Sequence, residues 1–178
     1  DVAELAAEAL GDDLVLLDGR TPEEFRRMTI PGARSCPNAE LGYRLPGLGL
    51  GPRTRIVVNC AGRARSLMGA QPLRKLGVPH EVLALRNGTQ GWELAGLSVA
   101  RGREPDPLPT LAPEARAAAR ASARRIIAAS GLALIGRDAL ALRREEAGRT
   151  HYLFDVRTAE EYRAAHVPGA VHAPGGQL

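Results

Sequence analysis

A β-branched run, Arg55-Ile56-Val57-Val58-Asn59, narrows the possible folds more than any other feature of this 178-residue chain. A strand that is apolar without alternation is buried on both faces, the situation at the centre of a parallel sheet. Two further apolar runs, Leu14 to Asp18 (LVLLD) and Glu81 to Leu85, predict neighbouring strands, and Ala33 to Cys36 predicts a short one. Helical segments lie between them. Val2 to Leu10 is Ala-rich and amphipathic. Thr21-Pro22-Glu23-Glu24 has the pattern of a capping box with Pro at the first helical position. Ala39 to Leu45, Ser66 to Leu76 and Thr89 to Ala95 also predict helices, with Gly77 and Gly96 as stops and Pro72 as a kink or early break. Strands alternating with helices imply right-handed crossovers, so the fold class is α/β, a mostly parallel central sheet flanked by helices on both faces.

The composition changes after this region. Between Ser98 and Pro113 four prolines, Pro105, Pro107, Pro109 and Pro113, stand among Gly and charged residues, which predicts a semi-rigid extended linker. The expected organisation is therefore a first domain over residues 1–100, a linker over 101–113, and a further unit over 114–178. That unit predicts helices at Glu114 to Ser130 and Asp138 to Ala147, then a strand at His151 to Asp155. Residues Asp18 to Ala33 (DGRTPEEFRRMTIPGA) and Asp155 to Ala170 (DVRTAEEYRAAHVPGA) align without a gap. The chain therefore holds a second, partial copy of one structural unit. A strand, a helix and a Pro-Gly turn cannot close a sheet alone. The partial copy is expected to dock on the first domain or to exchange with a neighbouring chain, which makes a homodimer conceivable.

Composition excludes several classes. Hydrophobic residues make up 44% and charged residues 25%, as in soluble globular proteins. No apolar run is long enough to span a bilayer, and the start of the chain lacks the basic and apolar stretches of a signal peptide. Because the sequence opens on Asp1, it is expected to be part of something longer. The two cysteines, Cys36 and Cys60, lack disulfide or zinc-site spacing, so a cytoplasmic, reducing location is expected, with no metal. Cys36 predicts a small buried hydrophobe, with a resolving thiol as the alternative. The net charge of +4 suits anionic substrates. Arg116, Arg120, Arg124 and Arg125 fall at helical spacing, but without interleaved aromatics they predict a solvated face, and neither nucleic acid nor membrane is an expected partner.

Cys60 is the candidate nucleophile. It follows the central strand at the carboxyl end, the edge where open α/β sheets place ligands. The loop Cys60-Ala61-Gly62-Arg63-Ala64-Arg65 leads into a helix at Ser66, so its backbone N–H groups can turn inward as an anion-binding nest. Those amides, the helix start and the cations Arg63 and Arg65 should favour a thiolate. Small residues at Ala61, Gly62 and Ala64 should leave the sulfur exposed to both a donor and an acceptor.

Four ordered features carry a resemblance to a known family. They are the Asp-x-Arg start with its Glu-aromatic pair, the Pro-Gly-Ala end, the Cys-led loop, and a Gly-x-x-x-Trp-x-x-x-Gly stretch from Gly88 to Gly96 around Trp92. Together they resemble the rhodanese signature, as in a slice of a bacterial protein built of several such modules. In the first copy Thr29 stands where that family usually has His; the second copy has His166. The resemblance implies the rhodanese-like three-layer fold. It also implies a sulfurtransferase that moves a sulfane sulfur from an anionic donor such as thiosulfate to a thiol, a protein acceptor or cyanide through a Cys60 persulfide. No cofactor is implied. Ala61, Gly62, Arg63, Ala64, Arg65 and Ser66 would form the substrate cradle, with the arginines on the donor's anionic end. Asp18, Arg20 and Trp92 would support it, Asp18, Arg20 and Glu24 on the plainest reading as a cap and a surface ion pair. Two alternatives stand. Phosphatases and arsenate reductases of this fold separate Cys and Arg by five residues, whereas Ala61 to Ala64 supply four; and the module could be a low-turnover sulfur relay. The loop also lacks the Cys-Gly-Ser-Gly type shared by mercaptopyruvate enzymes, which ranks that donor lower.

Overall fold

The computed structural model describes residues 1–7 and 13–175. Four parallel strands form the main sheet in the order β2-β1-β3-β4, with β1 at Leu14–Asp18, β2 at Arg34–Ser35, β3 at Arg55–Asn59 and β4 at Val82–Ala84. The β-branched run is thus an inner strand, pairing β1 over its full length from Leu14 opposite Arg55 to Asp18 opposite Asn59. Strand pleating sends alternate side chains to opposite faces. Val15, Leu17, Ile56 and Val58 meet Leu41, Leu45, Ala70 and Leu73 on one face; Leu14, Leu16 and Val57 meet Val2, Leu5, Phe25 and Ile30 on the other. Five helices and the residues just after two of them supply these partners: α1 (Val2–Ala7) and α2 (Pro22–Arg27), followed by Ile30, on one side, α3 (Asn38–Arg44), followed by Leu45, and α4 (Arg65–Leu76) on the other, and α5 (Gly88–Leu94), which brings Trp92 against the first side. The three layers expected from strand–helix alternation are present.

Most of the expected elements appear at their positions, with ends displaced by one to three residues, and the part of the first predicted helix beyond Ala7 lies outside the described residues. Pro72 does not end α4, which runs on to Leu76. It sits on the exposed side of the helix, and Met68, whose carbonyl loses its donor, is exposed as well. Cys36 is fully buried in the α3–α4 core, and that burial pushes its thiol up to about 12 from an ordinary 9.0, with the Glu40 charge adding to the effect.

The Pro-rich segment is extended and lies along the first unit. Thr29 and Ala100 exchange two backbone hydrogen bonds of 2.8 Å each, and Gly102 N–H donates to the Arg26 carbonyl. Arg103 stacks over the Phe25 ring at 5.5 Å and donates to the Ala33 carbonyl. Leu111 is buried at the end of this strap.

Beyond it come α6 (Pro113–Ser130), which lies against α3 and α4, and α7 (Arg137–Arg144). β5 (Phe154–Asp155), α8 (Ala159–Ala164) and β6 (Val171–His172) follow. Arg116, Arg120, Arg124 and Arg125 are all exposed on α6. β5 and β6 pair in parallel with Asp155 opposite His172, as Asp18 lies opposite Ser35 in the main sheet. No helix among the described residues is long and apolar enough to cross a membrane.

Candidate functional site

The Cys60 loop leaves the carboxyl end of β3 and returns as α4, so its position is fixed by two elements anchored in the core. Its path is fixed by α5. Thr89 donates to the Cys60 carbonyl from its backbone N–H at 2.8 Å and from its hydroxyl at 3.2 Å, and Gln90 N–H donates to the Ala61 carbonyl at 2.9 Å. Both contacts require the loop and the start of α5 to approach backbone to backbone, which two glycines permit. Gly88 has φ +50°, and a Cβ there would lie 2.2 Å from the Cys60 carbonyl oxygen; Gly62 has φ +150°, and a Cβ there would lie 2.8 Å from the Asn87 oxygen.

The Cys60 side chain is 1% exposed, which corrects the expectation of an open sulfur. The loop curls over it, and Sγ lies 3.6 Å from the Arg63 carbonyl oxygen, a contact that the protonated thiol makes as donor. Cys60 belongs to neither apolar cluster of the core. Small side chains at Ala61, Gly62 and Ala64 let the loop fold tightly instead of leaving a gap. The sulfur is therefore buried, with the Arg63 carbonyl in contact with it.

The cradle residues separate into different roles. Arg63 and Ala64 are exposed. Ser66 is buried and its hydroxyl donates to the Leu85 carbonyl at 3.3 Å, tying the start of α4 to the end of β4. Arg65 donates from Nη1 and Nη2 to the two Glu24 oxygens at 2.8 and 2.7 Å, and its backbone carbonyl accepts from Asn38 Nδ2 at 2.7 Å. The pair holds the Glu24 carboxyl below its usual range and raises the Arg65 guanidinium, to which the charges of Cys60 and Asp18 also contribute.

Beneath the loop lies a buried polar chain. Asp18 and Arg20 form an ion pair of 2.7 Å with side chains 0% and 4% exposed, which corrects the expectation of a surface pair. Asp18 Oδ2 also accepts from Thr29 Oγ1 at 2.9 Å, and Arg20 Nη2 donates to the Met28 carbonyl. Thr29 thus takes the position of the signature His with a partner of its own, whereas His166 of the second copy contacts the Tyr162 carbonyl through Nδ1 at 2.9 Å. Asn59 Nδ2 reaches Asp18 Oδ2 at 3.4 Å and Thr89 Oγ1 at 3.0 Å, and Thr89 passes the connection to the Cys60 carbonyl. These bonds tie Asp18, Arg20, Thr29, Asn59 and Thr89 into one buried network, although Asn59 Oδ1 and Asn38 Oδ1 are buried without a partner among the described residues. Trp92 is half-buried against the α1–α2 side, with its indole N–H on the Ser98 carbonyl.

Sequence reasoning brought Cys60, its loop, Asp18 and Arg20 into one neighbourhood. It missed Asn59, Thr89 and Asn38, and it took Glu24 as a helix cap without its second partner. One signal was available: a polar Asn closing an otherwise apolar inner strand has to find hydrogen bonds inside the protein. A separate cleft of about 500 Å³ lies between the two units, with Arg20, Thr21, Asn38, Arg157, Thr158 and His172 among its walls. Among the described residues no cluster of His, Cys, Asp and Glu is placed to hold a metal ion.

The arrangement has counterparts. The model of the rhodanese-like domain matches residues 1–95 and 138–178. The crystal structure of a thiosulfate sulfurtransferase from Pseudomonas aeruginosa is 45% identical with a TM-score of 0.89, over 99% of this chain and 33% of that one. The HTH-type transcriptional regulator Rv0324 of Mycobacterium tuberculosis is 39% identical over 101 residues, 56% of this chain and 43% of the regulator. The chain spans about a third of the length of the first and less than half of the second.

Proposed function

The chain belongs to the rhodanese-like domain family, and from that premise we propose that it transfers sulfane sulfur, with Cys60 as the carrier. The observation that carries this reading is the loop itself. A single cysteine at the carboxyl end of an inner parallel strand is followed by four small or exposed residues and then by Arg65 at the start of α4, a short spacing that suits a single sulfur atom. The similarity to a thiosulfate sulfurtransferase supports the same chemistry.

In the first step the Cys60 thiolate attacks the outer sulfur of thiosulfate. A new S–S bond forms, the donor's S–S bond breaks, and sulfite leaves with the electron pair. Release of the Arg63 carbonyl contact accompanies loss of the thiol proton, because a thiolate cannot donate to that oxygen. The persulfide's outer sulfur then occupies the loop, where peptide N–H groups and the start of α4 favour negative charge. In the second step a thiolate or cyanide attacks that outer sulfur and the Cys60 thiolate departs. Arg63, exposed at the rim, attracts the anionic end of the donor. Both cysteines are free, which suits a reducing compartment such as the cytoplasm.

The test is intact-mass analysis of the whole chain after incubation with thiosulfate. A gain of one sulfur atom, localised to Cys60 and lost in Cys60→Ser, is expected, followed by its removal with cyanide or a thiol. An unchanged mass together with Cys60-dependent hydrolysis of an aryl phosphate would replace sulfur transfer with phosphatase chemistry.

A further inference from the structure

Two arginines of the Cys60 loop are in opposite electrical situations. Arg65 places both Nη groups on Glu24, a contact in which fork and carboxylate match in shape. Glu24 has little freedom to follow Arg65 elsewhere. Its carboxylate also accepts from the Thr21 backbone N–H at 3.3 Å, while its own N–H donates to the Thr21 hydroxyl, so it is anchored in the first turn of α2. Arg63 is exposed and has no carboxylate partner among the described residues. The Arg65–Glu24 pair, with side chains 27% and 31% exposed, is partly shielded from water and from salt.

We propose that Glu24 is a specificity-determining residue, occupying both prongs of the Arg65 guanidinium so that a tetrahedral oxyanion over Cys60 gains no fork to hold it. The chemistry behind this is a difference in shape. A lone outer sulfur presents no set of oxygens for a forked cation to grip. Phosphate or sulfate presents several oxygens at once and gains most from a planar, two-pronged cation facing them. Arg65, at the start of α4, carries such a cation, and Glu24 already occupies both of its prongs. In its biological meaning the inference rests on the sulfur-transfer reading.

Calorimetric titration of the full chain with inorganic phosphate tests it without any turnover, so the outcome is independent of whether Cys60 carries sulfur, which the thiosulfate mass experiment decides. Glu24→Gln keeps a capping residue of the accepted type at the third helical position, so α2 is retained. The variant is expected to bind phosphate about tenfold or more tightly than the natural sequence, the scale of one recruited charge-assisted contact. Adding Arg65→Leu should remove that gain. In the natural background Arg65→Leu alone should leave phosphate affinity unchanged, and this arm holds even if Glu24→Gln does not fold. An unaltered affinity in a folded Glu24→Gln chain, a gain that survives Arg65→Leu, or a loss of phosphate binding in Arg65→Leu alone would each overturn the proposal.

Discussion

Gly88 is the residue whose identity is most tightly dictated by the site. Its φ of +50° lies in the left-handed region, and the atom nearest to an added Cβ is the Cys60 carbonyl oxygen, held in place by Thr89. Backbone cannot swing aside as a long side chain can. Gly88→Ala is expected to destabilise the fold by about 1–3 kcal/mol. It is also expected to displace the loop enough to slow persulfide formation at Cys60 severalfold. Denaturant unfolding measures the first effect and time-resolved intact mass the second. A variant with unchanged stability and loading rate would show that the close approach of α5 to the loop does not matter. At this scale the sequence marked the Gly88-to-Trp92 stretch but gave no reason for it. The reason is a collision between residues 28 positions apart in the chain, visible only once β3 and α5 are side by side.

At the scale of elements, the two repeat copies offer an internal comparison. Thr21 and Thr158 cap α2 and α8 with the same reciprocal box and almost the same backbone angles, φ −68° and ψ 156° against φ −66° and ψ 157°. The Asp-x-Arg forks also coincide: Arg20 reaches the Met28 carbonyl at 2.6 Å, and Arg157 reaches the Ala165 carbonyl at 2.6 Å. The copies part in what lies around them. Arg157 and Asp155 are 45% and 9% exposed, against near-complete burial of Arg20 and Asp18. Replacing either threonine by alanine should cost about 1 kcal/mol of local helix stability. Only Thr21→Ala should also change the chemistry at Cys60, because only α2 carries a carboxylate that holds the loop. Comparing sulfur loading of the two variants measures this, and equal effects would disprove it. The sign of the pH dependence follows from the same pair. Glu24 has its carboxyl pKa lowered, mainly by its hydrogen bond to Arg65, so its contribution is complete above the ordinary Glu range and fades as pH falls through the depressed value.

For the whole molecule, the contrast is between a packed first unit and an open second one. The sheet of the first unit is covered on both faces, whereas Leu132, Leu134, Leu142, Tyr152, Phe154, Val156 and Val171 remain exposed in the region after α6. Tyr162 stacks on His166 and His172, with ring centroids 4.0 and 4.9 Å apart, yet α7 and α8 bury no side chain completely. With so few buried contacts, amides of β5, α8 and β6 should exchange with solvent well before those of β1 and β3. Hydrogen-exchange mass spectrometry resolves the two regions. Protection of residues 154–172 equal to that of the main sheet would contradict the unequal packing.

Local chemistry settled much in advance. The β-branched run predicted an inner strand and Thr21 to Glu24 a capped helix, because each depends on residues within a few positions of one another, and the gapless match of Asp18–Ala33 to Asp155–Ala170 marked a second, partial copy of one unit. The covered sulfur, the capture of Arg65 by Glu24 and the chain from Asp18 through Asn59 and Thr89 to Cys60 depend instead on segments tens of residues apart. Burial and hydrogen-bond geometry are properties of the packed sheet and its helices, and packing alone decided which of two arginines faces solvent and which is held.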